Sequence, residues 1–113
     1  MHELALAEGV LQRIEESATR DGFSRVRIVW LEIGQLAAVA PDAMRFCWDA
    51  VSRGSIAEDA QLEIIDVPGR AWCLNCMQTV QVVEVYDACP VCGGCPLEIT
   101  GGTEMRVKEL EVE

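Results

Sequence analysis

The stretch C-L-N-C at residues 73–76 is followed, after twelve residues, by C-P-V-C at residues 89–92. Two C-x-x-C turns brought together supply four thiolates, which is the ligand set of a closed tetrahedral zinc site. The separation is long enough for a hairpin through residues 79–86, where we predict a strand. The spacing therefore predicts a small zinc module with four ligands, Cys73, Cys76, Cys89 and Cys92.

The second cysteine pair has a rival, because residues 92–95 form another C-x-x-C, C-G-G-C. A metal-binding turn directs backbone N–H groups at the thiolates, and Gly93 permits the tight geometry that this requires after Cys92. Pro96 follows Cys95 and has no N–H to donate. The backbone therefore favours the C-P-V-C pair and leaves Cys95 as a spare thiol or an exchange ligand.

Glycine-containing breaks at Pro68-Gly69 and Gly101-Gly102 bracket the cysteine-rich segment, which gives it the character of an insertion between two strands. A segment of roughly 30 residues has too little apolar core to fold without a metal. A closed four-ligand site leaves no position for a substrate, so we expect the zinc to be structural. A redox-active C-x-x-C is the alternative.

The remaining sequence predicts helix, strand, helix, strand, module and strand, in that order. Apolar residues between Leu4 and Ala18 recur at helical spacing, and Asp21-Gly22 ends that helix. Pro41 suits the first turn of a second helix, which Arg53-Gly54 ends. Strands are predicted at residues 24–33, 61–67 and 104–112. The predicted domains are residues 1–69 completed by residues 101–113, and residues 70–100.

Bulk composition limits the partners and the compartment. The chain has 113 residues, half of them hydrophobic, and a net charge of −10. Such an acidic surface repels phosphate backbones, so we expect no nucleic-acid partner. The sequence has neither a basic start nor an apolar run near the roughly 20 residues of a membrane span. We therefore expect a cytoplasmic protein, where six cysteines favour metal binding over disulfides.

The N-terminus offers a second set of ligands. A bulky residue at position 2 hinders removal of Met1, so we expect its α-amine to be present, next to the amide nitrogen and imidazole of His2. The amide of Glu3 can supply a fourth nitrogen, and its carboxylate can bind the metal or accept a hydrogen bond. Four nitrogens in a plane suit Ni(II) or Cu(II). The alternative is that His2, the only histidine, belongs to a solvated terminus.

Short segments along the chain together match a known pattern. They are M-H-E-L-A-L at 1–6, L-E-I-G-Q-L at 31–36, Pro41 with R-F-C at 45–47, R-G-S-I-A at 53–57, both cysteine pairs, and R-V-K-E-L-E-V at 106–112. In this order they resemble the HypA/HybF family of hydrogenase nickel-incorporation proteins. The resemblance covers essentially the full length.

This resemblance implies an α+β protein, with two helices packed on a small three-stranded sheet and an inserted zinc-ribbon-like module. It implies nickel transfer to the large subunit of [NiFe]-hydrogenase in concert with a HypB-like GTPase, and in some organisms urease maturation. By the family's motif, His2 is the nickel ligand with Glu3 beside it, and the four cysteines bind zinc.

Two other classes of function are weaker. The sequence contains no evident pair of nucleophile and base, and Asp42 and Glu32 are better explained as a solvated helix start and a strand-edge charge, so we do not expect an enzyme. A zinc-ribbon adaptor that binds another protein is the runner-up. It would hold zinc alone, whereas a nickel carrier has one further site.

Overall fold

The computed structural model describes residues 2–94 and 97–113. Its elements are α1 (His2–Asp21), β1 (Val26–Gly34), α2 (Pro41–Ser52), β2 (Gln61–Val67), β3 (Gly69–Cys73), β4 (Gln78–Val82), β5 (Glu98–Gly101) and β6 (Met105–Val112). The fold is α+β, with two three-stranded sheets ordered β2-β1-β6 and β4-β3-β5. The chain divides into two compact units. The first is Met1–Leu31, Val39–Ile65 and Arg106–Glu113; the second is Glu32–Ala38 and Asp66–Met105.

Both helices have ends that follow from their sequence. α1 is followed by Gly22, which has a φ of 78° and donates its N–H to Ala18 O at 2.8 Å. Glycine adopts this left-handed conformation readily, so it ends the helix here. Pro41 is the first residue of α2, where a missing N–H breaks no helical hydrogen bond. The extended Ala40 before it, with φ −80° and ψ 119°, sets where α2 begins.

The first unit has an apolar core built from one face of each helix and from β1. α1 and α2 pack against each other. The buried core side chains of this unit are Ala7, Val10, Ile14, Val26, Val29, Leu31, Met44, Cys47, Trp48, Ala57 and Leu62. These positions follow the helical and strand periods of the sequence, so the hydrophobic effect suffices to explain the fold of this unit.

The second unit is built around β3. This strand pairs antiparallel with β4, with Ala71 opposite Val80, and also with β5. Its core cluster is small, with Ala71, Cys73, Val80, Val82 and Cys89 buried. Cys73 is the last residue of this strand and pairs with Gln78 of β4, and this pairing fixes the backbone position of Cys73.

The residues before β3 and the residues after β5 lie close together in this unit. A Cβ atom at Gly102 would lie 2.5 Å from Pro68 O and 2.7 Å from Gly69 Cα. A Cβ atom at Gly69 would overlap Val82 O and lie 2.8 Å from Leu36 Cγ. The backbones therefore approach more closely than any side chain allows, which explains Gly69 in the first predicted break and Gly102 in the second.

The predicted elements outside the module are confirmed within two residues at each end. The strand predicted at 79–86 is shorter, because the chain turns after Val82. Asp87 Oδ2 accepts the N–H groups of Val83 at 2.9 Å and Glu84 at 3.0 Å, which closes that turn. β3 and β5 were not predicted. The predicted domain boundaries, 1–69 with 101–113 and 70–100, stay a prediction.

Candidate metal sites

Four thiols of the second unit converge on one point. Their sulfur atoms all lie within 4.8 Å of one another. Sγ of Cys73 lies 3.7 Å from Sγ of Cys92, and Sγ of Cys76 lies 3.9 Å from Sγ of Cys89. A regular tetrahedron with Zn–S bonds of about 2.3 Å has edges of about 3.8 Å. The donor set and its spacing therefore fit a tetrahedral zinc ion, and the sulfurs are too far apart to be disulfides.

Each pair of cysteines lies on a turn with the same backbone hydrogen bond. The N–H of Met77 donates to Cys73 O at 2.8 Å, and the N–H of Gly93 donates to Cys89 O at 2.8 Å. The residue after each pair has a left-handed backbone, with φ 53° at Met77 and 72° at Gly93. The two turns are thus the same local structure, closed once by methionine and once by glycine.

Backbone N–H groups also point at the sulfurs. Cys76 N donates to Cys73 Sγ, Val91 N to Cys89 Sγ, and Gly94 N to Cys92 Sγ, each at 3.4 Å. Such bonds stabilise a thiolate over a thiol. They also orient the sulfur atoms for a cation.

Hydrogen bonding gives two of the thiols very different pKa values. The N–H of Cys92, followed by that of Val91, lowers the pKa of Cys89 to about 7. The hydrogen bond with the side chain of Cys92, together with burial, raises the pKa of Cys76 to about 12. An entering cation therefore meets one ligand, Cys89, that is partly anionic near neutral pH. It must displace the proton of Cys76, so metal binding releases protons.

All four cysteines that the spacing selected take part in this cluster. Cys73 and Cys89 are buried, Cys76 is half-buried and Cys92 is exposed. Cys95, the spare thiol of the sequence analysis, lies outside the described residues. The sequence analysis did not single out Met77, although the signal was there: it occupies the position that Gly93 occupies in the other turn.

The candidate nickel ligands lie at the start of α1. His2 is exposed and Glu3 is half-buried, while Met1 lies outside the described residues. Oε2 of Glu3 accepts a hydrogen bond from Ala40 N at 3.3 Å. This bond is the largest cause of a lowered pKa at Glu3, followed by the residue's own N–H. The carboxylate thus connects the start of α1 to the start of α2.

The amide nitrogens of His2 and Glu3 belong to the first turn of a helix. The first four N–H groups of a helix have no carbonyl partner within it. A metal that takes these nitrogens as ligands would therefore break no hydrogen bond of the helical ladder.

None of the described helices has the length and hydropathy to cross a bilayer.

Comparisons with known proteins agree with this arrangement. Residues 1–112 match the model of the family described as "Hydrogenase/urease nickel incorporation, metallochaperone, hypA". The chain is 62% identical to the hydrogenase maturation factor HypA of Albidiferax ferrireducens and 58% identical to that of Azotobacter chroococcum mcd 1. Both comparisons cover 113 residues and 100% of each chain.

Two solved structures show the same fold. One is the solution structure of the Ni metallochaperone HypA from Helicobacter pylori, with a TM-score of 0.72, 24% identity, and coverage of 97% of this chain and 96% of that chain. The other is a solution structure of HypA protein, with a TM-score of 0.73, 25% identity, and coverage of 100% and 97%. By its family match and its relatives, the chain belongs to the HypA family of hydrogenase and urease nickel-incorporation metallochaperones.

Proposed function

We propose that this chain is a nickel metallochaperone that binds Ni(II) at its N-terminus and delivers it for maturation of [NiFe]-hydrogenase. The observation that carries the proposal is the full-length family match combined with M-H-E at the chain's start. The α-amine of Met1, the amide and imidazole of His2, and the amide of Glu3 are the proposed nitrogen ligands. Nickel is the cargo, and nothing in its transfer requires this chain to act as an enzyme.

The zinc ion of the proposal is structural, and its ligands are Cys73, Cys76, Cys89 and Cys92. The sulfur spacing and the N–H···S bonds support this assignment. Four protein ligands close the coordination shell, so this site offers no position for cargo.

The proposed partners are a HypB-like GTPase and the hydrogenase large subunit, in the cytoplasm. The family's role in nickel incorporation supports them, because such a carrier needs a protein that accepts its metal. A net charge of −10 disfavours nucleic acid and anionic membrane surfaces as further partners. We propose that the domain formed by residues 1–69 with 101–113 binds nickel and that residues 70–100 bind zinc.

Calorimetric nickel titration of zinc-loaded, untagged protein tests the N-terminal site. We expect one Ni(II) per chain in the wild type and its loss in His2→Ala and in a variant with residues added before Met1. The matched control carries the same added residues after Glu113 and keeps the site. Affinity should fall as the pH is lowered, because the nitrogen ligands must lose protons.

Glu3→Gln keeps the backbone amide of residue 3 and removes the charge of its carboxylate. Its nickel affinity, compared with that of Glu8→Gln on the same helix, therefore measures what the carboxylate contributes. Equal nickel binding by the wild type, His2→Ala and the extended chain would contradict the N-terminal site. A zinc-ribbon adaptor that carries no nickel would then be the better account.

A further inference from the structure

The two cysteine turns of the second unit expose apolar side chains. Leu74 is 67% exposed, Met77 68% and Val91 65%. Each lies within one residue of a cysteine of the cluster, and the four sulfurs are within 4.8 Å of one another. All three residues therefore adjoin the sulfur cluster, and we call this set of exposed apolar side chains the turn surface. Exposed apolar side chains grouped in one part of a surface are the usual mark of a site that another molecule covers.

Met77, on the turn surface, has a backbone conformation that is unfavourable for a residue with a side chain. Its φ of 53° lies in the left-handed region, which costs a side-chain-bearing residue about 1–2 kcal/mol relative to a right-handed conformation. Gly93 closes the equivalent turn with the same hydrogen bond and without that strain. Because the side chain of Met77 is mostly exposed, burial within the fold does not compensate for the strain. A long flexible thioether is well suited to packing against a partner.

The charge of the segment that carries the turn surface limits what can cover it. Residues 71–105 contain Glu84, Asp87, Glu98 and Glu104, and no lysine or arginine. A second copy of this chain would bring a further charge of −10, and nucleic acid or anionic lipid would also be repelled. A protein face with an apolar centre and lysine or arginine at its rim is complementary in both respects.

We propose that the turn surface, formed by Leu74, Met77 and Val91, is a docking site for a partner protein with an apolar, basic-rimmed face. The zinc ion then has a second consequence besides folding, since it holds both turns in one place and so assembles the surface. The identity of the partners to be tested rests on the proposed function. The docking site itself rests on exposure, backbone strain and charge.

Met77→Gly separates docking from folding, because it removes the side chain and also the strain. We expect this variant to keep one zinc ion and to melt at the same temperature as the wild type or higher. Its affinity for the partner should fall about tenfold, the loss typical of a central interface residue. Leu74→Ser should weaken binding in the same direction. Phe46→Ser, which alters a 74% exposed residue of α2 in the first unit, is the matched control and should change affinity less than about twofold.

The probes are the purified HypB-like GTPase and the nickel-free large-subunit precursor, each titrated against full-length, zinc-loaded protein by biolayer interferometry. Binding of either probe that Met77→Gly weakens and Phe46→Ser spares supports the docking site. The proposal is overturned if neither probe binds, or if Met77→Gly and Leu74→Ser both bind as the wild type does. Self-association in sedimentation, or binding to anionic phosphatidylserine vesicles, that Met77→Gly abolishes would also overturn it.

Nickel titration of the same samples keeps this result apart from the proposed function. Met77→Gly and Leu74→Ser should bind nickel as the wild type does. If the wild type binds no nickel, the delivery function fails while the docking measurement still decides the docking site.

Discussion

The two compact units bury different kinds of side chain. The first unit contributes five of the six largest fully buried side chains among the described residues, whereas the second contributes only Cys73. Of the five buried residues in the core cluster of the second unit, two are cysteines of the sulfur cluster. The comparison indicates that the first unit folds by apolar burial and that the second depends on its metal.

Metal removal should have the largest effect of the changes considered, and it should act on the second unit and not on the first. Zinc binding to small structural sites is worth about 10–16 kcal/mol near neutral pH, so a chelator should unfold the second unit. We expect loss of slow amide hydrogen exchange in β3 and β4, with protection retained in α1 and α2. Hydrogen exchange followed by mass spectrometry measures this.

Cys73→Ser should have the same effect as the chelator without any added reagent. Its control is Cys47→Ala, which alters a buried cysteine of α2 outside the cluster and should keep one zinc ion. Retained protection of β3 after chelation would contradict the contrast between the units.

Ile14→Ala tests the other side of the comparison. Ile14 is 1% exposed in the core of the first unit, and truncation of such a side chain costs about 2–5 kcal/mol. We expect a lower free energy of unfolding for the first unit, measured by denaturant titration with circular dichroism of its helices. The zinc content should stay at one ion per chain. Loss of zinc in this variant would show that the units do not fold by separate means.

Gly69→Ala should destabilise the second unit by about 1–3 kcal/mol, because its Cβ would overlap Val82 O and crowd Leu36. Gly9→Ala is the matched control: its Cβ would have no atom within 4 Å, and alanine stabilises a helix interior by about 0.5–1 kcal/mol relative to glycine. Opposite signs in thermal melts are therefore expected. Equal shifts would mean that the close approach at Gly69 relaxes easily.

Arg25→Ala should have the smallest effect. Nη2 of Arg25 lies 3.0 Å from Oδ2 of Asp59, but the side chains are 57% and 75% exposed. Exposed ion pairs contribute about 0–1 kcal/mol and are screened by salt. We expect a change in unfolding free energy below about 1 kcal/mol that shrinks at high salt. A larger, salt-independent loss would indicate that this unit does not depend mainly on its core.

The sequence predicted the elements whose signals are local. The helical period of α1 ends at a glycine, α2 begins at a proline, and β1 and β2 are rich in branched residues, so all were recognisable. The cysteine spacing selected all four members of the sulfur cluster for a similar reason, because a C-x-x-C turn is a local structure. The HypA-like segments were likewise short continuous stretches.

The features that were missed depend on distant contacts. β3 has the sequence G-R-A-W-C, with no branched residue to mark it, and it is a strand because β4 and β5 pair with it on both sides. The hydrogen bond between Glu3 and Ala40 joins residues 37 apart, so no pattern around Glu3 indicates it. The left-handed Met77 could be recognised only by comparing the two turns.

The close approach of Gly102 to Pro68 and Gly69 has a consequence for how such a chain can be rebuilt. The segment between these glycines starts and finishes at neighbouring backbone positions, so its removal leaves two ends that a short turn can join. Lengthening or shortening it changes the entropy of loop closure only slowly. Recombination at Gly69 and Gly102 can therefore exchange the whole zinc-bearing segment for one of different length while the flanking backbone keeps its position.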